Sequence, residues 1–239
     1  KREILVEKKE EVVSEAQPKK TISWGRKISL GYSQTGGNTK DSQGSGQFSL
    51  NRKTGKDEWS AQIKSHISTS NDQMDAKKFY GMGRYAFSYG KNLKWYNLYK
   101  FEADQDIFSN IDYRLIPSTG VGYWFSDEND FKLMVEGAVG FEHTNYRDGL
   151  GSEGAAVIIP RGFLEKKLIG RLSLSQDIIL YPSLKNVGEY RLHSEMAVIN
   201  PVSDTIFWKV SFIDDFNTDP GGSTKRNDFR LISSVGYVF

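Results

Sequence analysis

An all-β fold, a single antiparallel up-and-down transmembrane barrel of about twelve strands, is predicted by three observations. Apolar and polar residues alternate with period two through most of the chain from Thr21 onward. Clusters of Gly, Asn, Asp, Ser and Lys interrupt the alternation about every dozen residues, the spacing of strands and turns. No apolar run approaches the ~18 residues of a spanning helix. A closed barrel is then the architecture that satisfies every backbone group in lipid, and 239 residues suit a single barrel domain.

Taken in order, the alternating segments place strands near Thr21–Gln34, Asp41–Arg52, Glu58–Thr69, Lys77–Tyr89, Leu93–Asp104 and Asn110–Phe125. The second half continues with Phe131–Tyr146, Gly154–Leu164, Leu168–Tyr181, Gly188–Asn200, Thr205–Asn217 and Arg226–Phe239. In the last of these, Phe229, Leu231, Val235, Tyr237 and Phe239 share one face, and Arg230, Ser234 and Gly236 the other. Val235, Tyr237 and the terminal Phe239 together resemble the signal by which the barrel-assembly machinery recognises bacterial outer-membrane barrels. An even strand count brings both termini to one side.

Residues 1–20 differ in character from the rest of the chain. They are charged, could form a short helix ended by Pro18, and are too polar to span a bilayer. They are expected to be a periplasmic arm, with a lumen plug or a partner-binding segment as the sharper alternatives. The chain begins at Lys1, so the missing export signal is not an argument for the cytoplasm.

With a periplasmic N-terminus, the connections at 89–92, 126–130 and 200–204 are tight turns on the periplasmic side. Longer loops are expected opposite, at Ser70–Ala76, Arg147–Glu153 and Thr218–Lys225. Trp24, Trp59, Trp95 and Trp208 stand near the starts of outward-going strands and form a periplasmic aromatic girdle. Trp124 reaches the same rim with the parity of the interior. Tyr32, Phe79 and Tyr146 would form the opposite girdle. Beyond them Lys77, Lys78, Arg147, Lys225 and Arg226 could meet outer-membrane lipid, including lipopolysaccharide phosphates.

Facing the apolar positions outward turns a dense set of charges inward. The candidates for a lumen charge network or pore lining are Arg84, Lys100, Glu102, Asp104, Asp112, Arg114, Glu136, Glu142, Arg171, Glu189, Arg191, Glu195 and Arg230, accompanied by Lys94, Lys132 and His193. Buried charges of both signs must pair or hydrate. They either interlock and fill the lumen or line a narrow passage with weak charge selectivity.

The same inventory argues against other functions. Lys and Arg, 32 together, nearly balance 30 Asp and Glu, so no basic field points to nucleic acid. Without cysteine there are no disulfides, thiolate metal sites or Cys nucleophiles. The three histidines, His66, His143 and His193, have neither zinc spacing nor a compact Ser and acid context. His143, beside Glu142, leads a weak set. Glu102 and Asp104 could offer oxygen ligands to Ca²⁺, but pairing with Arg114 on the next strand is the better reading. No catalytic residue, metal site or cofactor is expected.

A series of short stretches spans nearly all of Thr21 to Phe239: Trp24-Gly25, Leu30-Gly31-Tyr32, Thr35-Gly36-Gly37-Asn38-Thr39, Phe101-Glu102-Ala103-Asp104, Arg114 through Gly120-Val121-Gly122-Tyr123, Tyr190-Arg191, Asp219-Pro220, Asp228 and Gly236-Tyr237-Val238-Phe239. In this order they resemble the bacterial family of salt-induced outer-membrane proteins, a domain of unknown function. The resemblance implies an outer-membrane barrel and carries no reaction or catalytic residues. The expected function is a narrow channel for ions or small solutes, or a barrel serving envelope adaptation. The alternatives are a closed barrel docking an envelope partner through residues 1–20 and, behind it, an outer-membrane hydrolase.

Overall fold

The computed structural model describes residues 23–35, 41–71, 73–147, 149, 151–186, 188–219 and 226–239. The expected N-terminal arm, residues 1–20, lies outside them. The described residues form twelve strands: β1 Ser23–Thr35, β2 Asp41–Lys53, β3 Asp57–Ser70, β4 Gln73–Tyr89, β5 Trp95–Asp106, β6 Ile111–Asp127, β7 Phe131–Tyr146, β8 Ser152–Lys167, β9 Ser173–Pro182, β10 Tyr190–Pro201, β11 Ile206–Asn217 and β12 Asn227–Val238. Each pairs antiparallel with its neighbours in sequence, and β12 returns to β1 to close the barrel. The closing register runs from Lys27 opposite Val238 to Gly31 opposite Ser234. Closure leaves no edge strand among the described residues.

The rim where β1 begins and β12 ends carries the connections 54–56, 90–94, 128–130, 168–172 and 202–205 and is here called the turn end. The loop end carries 36–40, 71–72, 107–110, 147–151, 183–189 and 218–226. The expected loop over Ser70–Ala76 is instead a tight turn. Asn71 takes a left-handed φ of 50°, and β4 starts at Gln73. The polar run of Ser, Asn, Asp and Gln resembles a loop in composition, yet it continues the ladder past a register shift at Ser68/Thr69. Conversely, the expected strand start at Leu168 is a turn through Gly170 (φ 59°), closed by the Leu168 amide donating to the Leu172 carbonyl at 2.8 Å.

Proline leaves a mark on one seam. The β8 and β9 ladder runs from Lys167 opposite Ser173 to Arg161 opposite Ile179 and stops at Pro160, which has no N–H. A bridge between Val157 and Ser183 then resumes the same register.

Outward positions are apolar, among them Ile28, Leu30, Ile63, Tyr99, Phe101, Val139, Phe212, Leu231 and Val235, all exposed. Trp24, Trp59, Trp95 and Trp208 are exposed near the turn end. Trp59 packs on Tyr85 with ring centres 4.6 Å apart, and Trp95 on Tyr123 at 4.8 Å. Trp124 faces inward, 6.4 Å from Tyr96. Tyr32 and Phe79 are exposed toward the loop end, whereas Tyr146, expected beside them, lines the lumen.

Inside, Ala86, Tyr96, Leu98, Ile116, Ala138, Val157, Ile159, Ile179 and Tyr181 form an apolar cluster on β4 through β9, with Trp124 packed against it. The facing wall carries polar residues, including Ser29 on β1, Ser45 and Gln47 on β2, Gln62 on β3 and Ser234 on β12, among charged side chains and the apolar Ile213 and Ile232. The lumen therefore has one apolar, closely packed wall and one wall of polar and charged residues.

Candidate functional site: the charged lumen

Alternation along β4 to β9 points Arg84, Glu136, Arg161 and Asp177 at one another from four strands. Arg84 donates to Glu136 at 2.6 Å, and Arg161 reaches the other oxygen of Glu136 at 3.2 Å. The Arg161 guanidinium also grips Asp177 through two bonds of 2.9 and 2.8 Å, the bidentate geometry that fixes a carboxylate in place. Tyr96 donates to Glu136 at 2.9 Å, and Arg84 stands over the Tyr96 ring at 5.4 Å. Two cations meet two anions, all on inward positions.

Nearer the loop end, Glu102 is almost fully buried and pairs with Lys100 at 2.9 Å. It also accepts hydrogen bonds from Tyr80 at 2.8 Å and Tyr181 at 3.1 Å. Arg114 pairs with Asp104 at 3.4 Å and with Glu142 at 3.1 Å, and Arg191 reaches Glu142 at 2.5 Å while lying over Tyr181. A buried charge deprived of such a partner would be costly.

Two further pairs cross the barrel, and others link neighbouring strands around them. Lys64 on β3 meets Glu195 on β10 at 3.0 Å, and Lys209 on β11 meets the same carboxylate at 2.6 Å. Lys78 on β4 reaches Asp228 on β12 at 2.6 Å and Asp106 at 3.0 Å. Arg230 bonds Asp215 and lies 3.2 Å from Asp228, and His193 shares Asp215 at 2.6 Å. Between these bridges lies a cavity of about 880 Å³, bordered at the loop end by Phe108, Ser109, Tyr146, Asp219 and Arg226. Toward the turn end its lining stops at Gln47, Gln62, Arg84, Lys100 and Lys209. One inward position below Lys209, the Phe207 ring lies over Gly236, where a Cβ would come within 2.1 Å of it.

Ten of the thirteen sequence candidates, namely Arg84, Lys100, Glu102, Asp104, Arg114, Glu136, Glu142, Arg191, Glu195 and Arg230, hold partners in these networks. Three do not. Arg171 lies in the exposed turn between β8 and β9 and pairs with Asp204 at 2.8 Å. Glu189 precedes β10 and accepts a bond from Asn186 in the loop. Asp112 sits where the β6 register shifts against both neighbours, so strict alternation fails and Ile111 takes the inward place before Arg114. His143 turns away from the Glu142 network and packs 6.0 Å from Tyr113. Lys64, Lys209, Arg161 and Asp177 are absent from the sequence candidates. Parity could have found Lys64, because the outward Trp59, Ile63 and Ile67 force it inward.

Residues 28–239 match a family described as "Protein of unknown function, DUF481". The chain belongs to this family. The description names neither salt induction nor any reaction. Among solved structures, the NanC porin is similar at a TM-score of 0.54 and 12% identity, covering 89% of this chain and 98% of its own. The KdgM porin is similar at 0.50 and 9% identity, covering 90% and 99%. At such identities the likeness is one of fold, a closed antiparallel barrel, and both structures are porins by name. No curated protein sequence matches the chain.

Proposed function

We propose that this protein is a bacterial outer-membrane barrel that admits ions and small polar solutes through a narrow lumen crossed by ion pairs. The observation that carries the reading is the cavity of about 880 Å³ spanned by the ion pairs Lys64 to Glu195 and Lys78 to Asp228. The exposed apolar outer face and the tryptophans gathered near one rim support membrane residence. Val235, Tyr237 and Phe239 suit recognition by the barrel-assembly machinery. Lys77, over the outward Phe79 ring near the loop end, suits contact with anionic lipid such as lipopolysaccharide, whereas Lys78 and Arg226 line the lumen cavity.

In this reading, cross-lumen pairs set the bore: each holds two side chains across the passage, and a solute passes by replacing their hydrogen bonds in turn. The test is planar-bilayer conductance of the folded protein in potassium chloride, beside the variant Lys78→Ala. Steady conductance that rises when the Lys78 crossbar is removed is the expected result. A folded barrel silent in both forms overturns the channel. It would favour a second reading, which the apolar cluster on β4 through β9 supports: a closed barrel serving as a docking partner, with residues 1–20 as the contact segment.

A further inference from the structure

We propose that Lys64 and Lys209 form a binding site for a small monovalent anion, of the halide or simple carboxylate class, on the floor of the lumen cavity. The inference rests on the reading of the lumen as accessible to solutes from the loop end, though not on conduction through it.

Among the described residues, most of the lumen charge is balanced locally. Arg84 and Arg161 are matched by Glu136 and Asp177, Arg114 and Arg191 by Asp104 and Glu142, and Lys100 by Glu102. Near the loop end, Lys78 and Arg230 face three carboxylates, Asp106, Asp215 and Asp228. The floor cluster is different. Lys64 and Lys209 share the one carboxylate of Glu195, at 3.0 and 2.6 Å, and Ser211 adds only a hydroxyl donor to it at 3.3 Å. One positive charge is left over, inside a barrel where uncompensated charge is expensive.

Donor capacity points the same way. An ammonium has three N–H groups and no acceptor. Each lysine gives a bond to Glu195, which leaves further donors on both. The wall beside them, Ser29, Ser45, Gln47, Gln62 and Ser234, carries hydroxyls and amides and no carboxylate. An anion seated there meets two ammoniums and several neutral donors, set against the single Glu195 carboxylate that the lysines share. A cation would meet the same two ammoniums and be repelled. Acid near the mouth and excess base at the floor thus sort the two signs of ion along one cavity.

The test uses crystals of the whole detergent-solubilised protein soaked in sodium bromide, with bromide located by its anomalous scattering. The expected result is a peak in contact with both ammoniums. It should be lost in Lys64→Gln and in Lys209→Gln, and kept or strengthened in Glu195→Gln, where the excess charge grows. Intact barrels of the wild type and of Glu195→Gln without a peak at this place overturn the proposal, as does a peak that survives both lysine substitutions. An occupied bromide site in a protein that conducts nothing would defeat the channel and leave the site standing; a conducting barrel with an empty floor would do the reverse.

Discussion

The ring of Tyr96 lies across the backbone of Gly122 so closely that a Cβ on Gly122 would stand 2.2 Å from the Tyr96 Cζ, while the Tyr96 hydroxyl donates to Glu136 at 2.9 Å. A glycine on β6 is thus the seat of a tyrosine from β5 that orients a glutamate on β7. Gly122→Ala must push the ring aside and strain the Glu136 network, at a cost of about 1–3 kcal/mol. Gly137→Ala, where nothing lies within 4 Å of the added carbon, is the matched control and should be near neutral. Urea unfolding of both variants in lipid vesicles checks this; equal midpoints would mean that the ring yields freely.

Glu136 serves two guanidiniums at once. Glu136→Gln leaves Arg84 with only Glu58, 3.6 Å away, and should destabilise the barrel by about 3–5 kcal/mol. The Lys53–Asp127 pair at the turn end is largely exposed, so Asp127→Asn should cost less than about 1 kcal/mol. The same unfolding assay ranks the two. Similar losses would show that the lumen around Glu136 is as well hydrated as the rim.

Trp24, Trp59, Trp95 and Trp208 face outward near one rim, and Trp124 faces the lumen. Single-tryptophan variants reconstituted into brominated-lipid vesicles should therefore divide. The four outward residues are quenched together by bromines at interfacial depth, and the variant retaining only Trp124 keeps most of its emission. Strong quenching of Trp124, or four unlike depths, would contradict the placement.

Much of the fold could be read from the chain because period-two alternation is a local signal. The expected strands Phe131–Tyr146 and Asp41–Arg52 differ from β7 and β2 by at most one residue at either end. Parity likewise turned Arg84, Lys100, Glu136 and Glu195 inward and gave Trp124 an interior orientation. What parity cannot supply is the partner across the lumen. Lys64 and Glu195 are 131 residues apart and meet only because closure curls β3 toward β10. It also fails wherever a residue is inserted, as at Asp112. The interior apolar cluster is hidden from it for a related reason: Val157 and Ile159 alternate with outward Ala156 and Ile158, so β8 is apolar on both faces there and gives no contrast to read.

The two unlike lumen walls bear on how the ring can close. The packed wall consists of six strands consecutive in the chain, so its contacts arise between hairpin neighbours and can be made while the sheet is still an open curl. β1 and β12 lie at the two ends of the sequence and must find each other last, at the greatest loop entropy. Their meeting faces carry Ser29, Gly31, Ser234 and Gly236, small residues that leave few side chains to interdigitate there. Sealing the barrel is then mostly backbone zippering, with the Ile232 side chain to seat on Gly31 instead of a whole core to be solved at the same moment.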